Sequence, residues 1–246
     1  MKDKKSQKKE LVDIIRNKRI YPVFQPIVDI KSGSIVAYEA LSRISGDSTM
    51  TIGELFELAC RCGMVWELEA VCRRKALKQA VNKPDGMKLF LNVDPNVILD
   101  SKFISGTTRY MLQKYSLKPD DIVFEVTERT RIKKEATFTE TVNHYRKENF
   151  HIAIDDFGAE FAGMNRVCML HPEYIKLDMA LIKNLDKDNY QRSFVKHFAL
   201  FCGENNIKLV AEGIETQAEL EAVKSIGVDF GQGYYLYPPD AQFVQG

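Results

Sequence analysis

The chain has 246 residues, of which 45% are hydrophobic and 28% are charged, a composition that excludes disordered and fibrous proteins. Its 35 Lys and Arg residues nearly balance its 34 Asp and Glu residues, so no overall field would attract DNA, RNA or an anionic membrane. No apolar run approaches the ~20 residues that span a bilayer, and no secretory leader is recognisable. We therefore expect a cytoplasmic protein without a membrane segment or a nucleic-acid polymer as partner.

The start of the chain differs in composition from the rest. Residues 1–10 include five lysines and, beyond Met1, no apolar side chain. This favours a disordered, solvated basic tail over a nucleic-acid-binding arm. We therefore predict one folded domain at residues 11–246, a length that α/β barrels commonly reach.

Eight short runs rich in β-branched or aromatic residues predict buried strands. In chain order they cover residues 21–24, 35–38, 88–93, 122–126, 151–154, 174–177, 208–211 and 230–236. The turn at residues 31–34 makes the first two a predicted hairpin.

Helical patterns lie between the strands. Capping boxes predict helix starts at Thr51 with Glu54 and at Thr216 with Glu219. The clearest amphipathic face is formed by Phe194, Val195, Phe198, Phe201 and Cys202. Strand and helix alternate along the whole chain, which favours a (β/α) barrel, with an open doubly wound sheet as the alternative.

The five cysteines contain no C-x-x-C pair: Cys60, Cys62, Cys72, Cys168 and Cys202. No histidine or second pair stands at zinc-ligand spacing from Cys60 and Cys62. We interpret the cysteines as reduced, buried thiols of a cytosolic protein.

Polar residues stand in a repeated position at the ends of the predicted strands. They are Asn92, Glu125, Asp155, Asp156, Lys176, Glu212 and Gln232. A single carboxylate after a strand is more often a helix cap or a loop charge. In a parallel barrel, however, all strand ends face one mouth, so the whole series predicts an active site there.

The residue types indicate the metal. Converging carboxylates carry a desolvation cost that cations offset. A site of carboxylate and amide oxygens, with the histidines elsewhere, suits Mg²⁺ or Mn²⁺. Asp155 is the candidate to bridge two cations, as in two-metal hydrolases.

Lys176 has two interpretations. Its ammonium could hold an attacking water, or its amine could form a Schiff base as in barrel aldolases. The surrounding carboxylates favour the first, because they stabilise the charged form.

Eight segments carry a resemblance to a known family. They are F-Q-P-I-V-D at 24–29, Y-E-A-L-S-R at 38–43, L-N-V at 91–93, F-E-V-T-E at 124–128, D-D-F-G at 155–158, I-K-L-D at 175–178, A-E-G-I-E at 211–215 and Q-G-Y at 232–234. In this order they resemble the EAL domain family over residues 21–239. The resemblance implies an α/β fold, a modified TIM-type (β/α)8 barrel with an antiparallel first strand.

The resemblance also implies an activity: hydrolysis of cyclic di-GMP to linear pGpG with two divalent cations. The implied ligands of the first cation are Glu39, Asn92, Glu125 and Asp155, and those of the second are Asp155, Asp156 and Glu212. Lys176 would orient the attacking water, and Glu212 is also a candidate general base. The alternative is a non-catalytic cyclic di-GMP receptor.

Further roles follow from the same resemblance. The implied substrate contacts are Gln25, Leu41, Arg43, Asp178, Glu215 and Gln232. Glu128 would anchor the loop after the fifth strand, or act as a helix-start carboxylate. In that loop Glu160 stands at a position that the family usually gives to Gly. A homodimer through the face near this loop is expected.

Overall fold

Eight strands, most of them rich in β-branched or aromatic residues, close into a barrel in a computed structural model that describes residues 4–94, 97, 102, 106–127, 135–159 and 163–244. The strands are β1 Ile20–Asp29, β2 Ile35–Ile44, β3 Lys88–Asn92, β4 Ile122–Thr127, β5 His151–Phe157, β6 Tyr174–Leu177, β7 Lys208–Ala211 and β8 Phe230–Gly231. They pair in chain order, and β1 runs antiparallel to both β2 and β8 while the remaining neighbours are parallel. The predicted barrel with an antiparallel first strand is confirmed.

The described α-helices are α1 Lys4–Arg16, α2 Ile52–Cys62, α3 Val65–Gln79, α4 Thr107–Lys114, α5 Glu135–Lys147, α6 Gly163–Leu170, α7 Met179–Ile182, α8 Asn189–Glu204 and α9 Gln217–Ser225. Both predicted capping boxes are present, at the starts of α2 and α9. On α8, Val195, Phe198 and Cys202 are buried as predicted, whereas Phe194 is exposed. None of the helices, as far as the structure describes them, is long and apolar enough to cross a membrane.

The prediction of a disordered tail is wrong for residues 4–10, which form the first turns of α1. The helix is held by its C-terminal half, where Leu11 and Ile14 are completely buried against α2 and α3. Glu10 adds polar contacts, because its carboxylate accepts hydrogen bonds from Ser48 and Thr49. Lysines at exposed helix positions are good helix formers, so their number did not indicate disorder here.

The prediction that the cysteines are buried is also wrong in part. All five are free thiols, but Cys60 and Cys168 are exposed, Cys62 and Cys72 are half-buried, and Cys202 alone is buried. Cys60 and Cys168 lie on outward faces of α2 and α6, so their apolar neighbours in sequence do not surround them in space.

The eighth strand is shorter than predicted. Only Phe230 and Gly231 form strand, and a turn follows in which the amides of Leu236 and Tyr237 donate to the carbonyl of Gly233. Gly233 lies directly against the backbone of Ile214, where an added Cβ would stand 2.1 Å from the Ile214 oxygen. This close approach of two loops replaces the end of the predicted strand.

The barrel interior is apolar on the side away from the C-terminal ends of the parallel strands. One cluster there takes a residue from each strand: Ile27, Ala37, Phe90, Val123, Ala153, Tyr174, Val210 and Phe230. A larger core lies between the outer faces of the strands and the helices. We call the first cluster the apolar floor of the barrel, and it supports the layer in which the site lies.

Candidate active site

A polar layer lies directly above the apolar floor. In each strand the residue two positions nearer to the mouth than the floor residue is polar, and a spacing of two keeps both side chains on the inner face. The layer consists of Gln25, Glu39, Asn92, Glu125, Asp155, Lys176, Glu212 and Gln232. The predicted convergence of the strand ends at one mouth is thus what the structure shows.

Lys176 lies at the centre of this layer. Its Nζ is 2.7 Å from Glu125 Oε1, 2.7 Å from Glu212 Oε1, 3.0 Å from Glu39 Oε2 and 3.1 Å from Asp155 Oδ1. The exposed fraction of these carboxylate side chains rises from 0% for Glu125 to 18% for Glu212, which identifies Glu212 as the member nearest to solvent. Four carboxylates face a single ammonium, so negative charge is in excess.

This excess of negative charge raises the pKa of the lysine and of two of the carboxylates. Burial lowers the pKa of Lys176, but the charges of Asp155, Glu125, Glu212 and Glu39 outweigh it and raise the pKa well above its usual range. Burial, with the neighbouring carboxylates, raises the pKa of Glu125 and Glu212 well above the usual range. A lysine held in its charged form is a poor Schiff-base amine, which disfavours the aldolase interpretation.

Amide side chains fix Glu39. Its carboxylate accepts hydrogen bonds from Asn92 Nδ2 at 3.1 Å, from Gln232 Nε2 at 2.8 Å and from Lys176 at 3.0 Å. Burial alone would raise the pKa of Glu39, but the Lys176 charge and these hydrogen bonds outweigh it and hold the pKa below its usual range. Gln25 joins the network, since its Oε1 accepts from Gln232 at 2.9 Å.

The Asp155–Asp156 pair sits at an irregularity of β5. The register to β6 shifts between Ile154 and Phe157, and Asp156 has a φ of 57°, a left-handed conformation that is uncommon for a residue other than glycine. The pairing with β4 is kept up to Asp155, and Thr127 Oγ1 donates to Asp156 at 3.1 Å. The irregularity lets two adjacent carboxylates both approach the mouth.

The remaining predicted contacts are less closely joined to the layer. Leu41 and Arg43 are half-buried near the mouth end of β2, and Arg43 donates to the carbonyl of Ser42. Asp178 is buried and caps α7 by accepting from the amide of Ala180, and Glu215 is exposed. Glu128 and Glu160 lie outside the described residues.

The donor chemistry of the layer fits a hard divalent cation. Glu125 Oε1 and Asp155 Oδ1 are buried and lie 2.7 Å and 3.1 Å from Lys176 Nζ. Such oxygens are natural cation ligands. Within the described ranges, no three His, Cys, Asp or Glu side chains are arranged to hold a metal ion as they stand. The four carboxylates converge on the Lys176 ammonium at 2.7–3.1 Å.

Sequence reasoning missed a buried ion pair behind the layer. Glu69 and Arg73 of α3 are each 4% exposed and lie 2.9 Å apart. A Glu and an Arg four positions apart on a helix are usually an exposed surface pair, so nothing in the local sequence indicated burial. Arg166 of α6 was missed as well; it is buried and donates to the carbonyl of Thr127 at the end of β4.

Comparisons with known proteins agree with the architecture. The probable cyclic di-GMP phosphodiesterase PdeG of Escherichia coli (strain K12) is 26% identical over 231 residues, which are 92% of this chain and 45% of that protein. The cyclic di-GMP-bound crystal structure of a standalone EAL protein from Vibrio cholerae O395 is 29% identical with a TM-score of 0.80, covering 92% of this chain and 94% of that one. The manganese and cyclic di-GMP complex of Klebsiella pneumoniae BlrP1 is 26% identical with a TM-score of 0.81, covering 90% and 56%.

This chain spans less than half the length of PdeG. Residues 8–239 match the family model described as EAL domain. That match includes all eight strands and every side chain of the polar layer. The chain therefore belongs to the EAL domain family.

Proposed function

We propose that this chain is a divalent-cation-dependent phosphodiesterase that hydrolyses cyclic di-GMP to linear pGpG. The observation that carries the proposal is the buried layer of four carboxylates around Lys176, with further amide ligands at the mouth of the barrel. Relatives described as cyclic di-GMP phosphodiesterases and the cyclic di-GMP complex of a similar chain support the choice of substrate.

The layer, together with the neighbouring Asp156, would supply oxygen ligands for two cations, Mg²⁺ or Mn²⁺. Glu39, Asn92, Glu125 and Asp155 would hold one, while Asp155, Asp156 and Glu212 would hold the other. When bound, the cations would lower the pKa of an attacking water and offset the charge that develops on the phosphate. A manganese complex of a similar chain supports this choice of metal.

The chain's own residues would position the reactants. Lys176, fixed among its carboxylates, would donate to the attacking water and hold it in line with the scissile bond. Glu212 is the most exposed of the four carboxylates, so it is best placed to accept a proton from that water. Glu128 would support the loop after β5.

Residues around the layer would bind the dinucleotide. Gln25 and Gln232 present amide groups at the edge of the layer, and Arg43 brings a cation that suits a phosphate. Leu41, Asp178 and Glu215 would line the same groove. A homodimer through the face near the loop after β5 stays a prediction.

The test is to incubate the purified protein with cyclic di-GMP and Mg²⁺ or Mn²⁺ and to separate the products by chromatography. We expect pGpG to accumulate. The absence of product at high protein concentration with both metals would refute the proposal.

The matched variant is Glu39→Ala, which we expect to abolish turnover. The fold should survive, because three carboxylates still neutralise Lys176 and the excess negative charge falls. Thermal unfolding would check the fold. Near-normal hydrolysis by this variant would contradict the assignment of Glu39.

A receptor that binds cyclic di-GMP without hydrolysing it is the second candidate. Such a receptor would use the same mouth of the barrel, so that only turnover separates the two functions. Binding of the dinucleotide in calorimetry, with no pGpG formed even with Mn²⁺, would select this function.

A further inference from the structure

Helix α3 carries a buried acidic side chain and a buried basic side chain that the proposed chemistry does not use. Glu69 and Arg73 are almost completely buried between α3 and the outer surface of the barrel, and their side chains form an ion pair of 2.9 Å. A buried ion pair is a weak source of stability, because the desolvation of both charges offsets their attraction. Arg73 Nε even lacks a hydrogen-bond partner among the described residues. A contribution to stability therefore does not explain why Glu69 and Arg73 are buried at this place.

The contacts of the pair lead to the ends of two neighbouring strands. Glu69 Oε1 accepts a hydrogen bond from the backbone amide of Asp94, two residues beyond Asn92. The guanidinium of Arg73 lies over the ring of Phe124, 5.5 Å from its centre, and Phe124 directly precedes Glu125. Because side chains alternate along a strand, Phe124 faces the helices while Glu125 faces the barrel interior.

The two strand ends are also joined inside the barrel. Asn92 Nδ2 donates to Glu125 Oε2 at 3.1 Å, and the two residues are direct partners in the β3–β4 register. Arg73 is anchored from the far side, where its Nη1 donates to Thr108 Oγ1 of α4 at 3.2 Å. The outer pair and the inner pair thus hold the same two strand ends from opposite faces.

We propose that Glu69 and Arg73 are positioning residues that set the placement of Asn92 and Glu125 for cation binding. Directional contacts suit this role, since a hydrogen bond to one amide and a guanidinium over one ring restrict where β3 and β4 can end. Apolar residues of equal volume would fill the space without fixing those ends. The proposal rests on the proposed function for its chemistry, but its geometry does not depend on turnover.

The test uses the double variant Glu69→Leu with Arg73→Met, which keeps the volume, removes both charges and takes the acceptor from the Asp94 amide. Apolar replacement of a buried ion pair is often neutral for stability. We therefore expect the thermal midpoint to fall by only a few degrees, with the loss coming from the Asp94 amide that no longer has an acceptor. The control is Glu67→Gln on the same helix, which removes an ion pair with the exposed Lys102.

Three measurements decide the outcome. Loss of such supporting contacts typically weakens metal binding or activity by roughly ten- to a hundredfold, so we expect Mn²⁺ affinity, measured by electron paramagnetic resonance, to fall at least tenfold. Hydrogen exchange at Asp94 should become faster. With cyclic di-GMP, kcat should fall at least tenfold while KM changes less than twofold.

The result that would overturn the proposal is a folded double variant whose Mn²⁺ affinity matches that of the control. If the double variant does not fold, Arg73→Met is tested in the same way, because it removes the guanidinium from Phe124 and Thr108. Wild-type Mn²⁺ affinity in that variant would equally refute the proposal. If the unchanged protein shows no turnover, the proposed function fails, whereas the Mn²⁺ titration and the Asp94 exchange still decide the role of the pair.

Discussion

Lys176 offsets part of the negative charge of the polar layer. Four carboxylates in a buried space would repel one another strongly, and a single ammonium among them removes part of that repulsion. The same contacts keep the lysine charged and hold it in one position. One residue therefore serves both to stabilise the layer and to present a fixed proton donor at its centre.

Glu69 makes the stability of the protein depend on pH. Burial raises its pKa from the ordinary 4.5 to about 7. Since protonation favours the folded state, this contribution is complete below pH 4.5 and is lost as the pH rises through about 7.

We therefore expect the free energy of unfolding of the unchanged protein, relative to Glu69→Gln, to fall between pH 5 and 8 by up to about 3 kcal/mol. Urea unfolding at several pH values would measure the difference. Carboxylates whose pKa is lowered, such as Asp13 and Glu54, change their protonation in the folded state below this window. A difference that stays constant with pH would contradict the expectation.

At the scale of single residues, the polar layer could be predicted from the sequence, whereas the buried ion pair behind it could not. Asn92, Glu125 and Lys176 are recognisable because each interrupts an apolar strand at the same phase of its alternation. Glu69 and Arg73 stand on a helix with a regular charge pattern, so only the neighbouring strands of the folded barrel reveal their burial. Long-range contacts of this kind leave no local signal.

Among the helices, the two capping boxes differ in what their carboxylates hold. Glu54 uses only Oε2, for the amide and the hydroxyl of Thr51. Glu219 uses Oε2 for the amides of Glu215 and Thr216 and Oε1 for the amide of Asn184. Glu219 thus also ties the loop after β7 to the end of α7.

We expect Glu219→Gln to lower the free energy of unfolding by about 2 kcal/mol and Glu54→Gln by less than about 1 kcal/mol. A glutamine has one oxygen, which can serve all the contacts of Glu54 but not both sides of Glu219. Urea unfolding of the two variants side by side gives the comparison. Equal losses would show that the contact to Asn184 adds nothing.

The loop after β8 depends on a glycine. A Cβ at Gly233 would stand 2.1 Å from the oxygen and 2.3 Å from the nitrogen of Ile214, whereas a Cβ at Gly33 would meet nothing within 4 Å. Gly33 has a φ of 76°, so its replacement carries only a conformational cost.

We expect Gly33→Ala to cost about 1 kcal/mol and Gly233→Ala more than about 3 kcal/mol, because backbone must move in the second case. Thermal unfolding would rank them. Since Gly233 follows Gln232, turnover should also fall in the second variant. A Gly233→Ala protein as stable as Gly33→Ala would contradict the close approach of the two loops.

At the scale of helices and strands, the predictions based on short-range hydrogen-bonding patterns were correct. The predictions based on composition alone were wrong where long-range contacts decide the structure. The hairpin turn and both capping boxes were found because each is a short-range hydrogen-bonding pattern. The first turns of α1 were missed because their order depends on Leu11 and Ile14 meeting α2 and α3. The extent of β8 was missed because it depends on Ile214, far away in sequence.

At the scale of the whole molecule, we expect cation binding to raise the free energy of unfolding. The polar layer has excess negative charge in the folded state only, so a cation that binds there favours folding. At Mn²⁺ concentrations about a hundredfold above Kd, linkage predicts a gain of about 2.7 kcal/mol, which corresponds to roughly 5–10 °C in Tm for a chain of this size.

Calorimetric scans with and without Mn²⁺, followed by removal with a chelator, would measure this gain. The control is Asp155→Asn, which removes the carboxylate assigned to both cations and should lose most of the shift. An equal shift in the control would place the bound cation elsewhere on the molecule.

The apolar floor also determines from which end of the barrel a ligand can reach the site. Its core members Ile27, Phe90, Val123, Ala153 and Val210 are at most 1% exposed, so the barrel is sealed beneath the polar layer. Within the described residues, no passage leads from the site through the floor to the other end of the barrel. Under the proposed function, cyclic di-GMP and its product would enter and leave by the same mouth, and each product molecule would have to depart before the next substrate could bind.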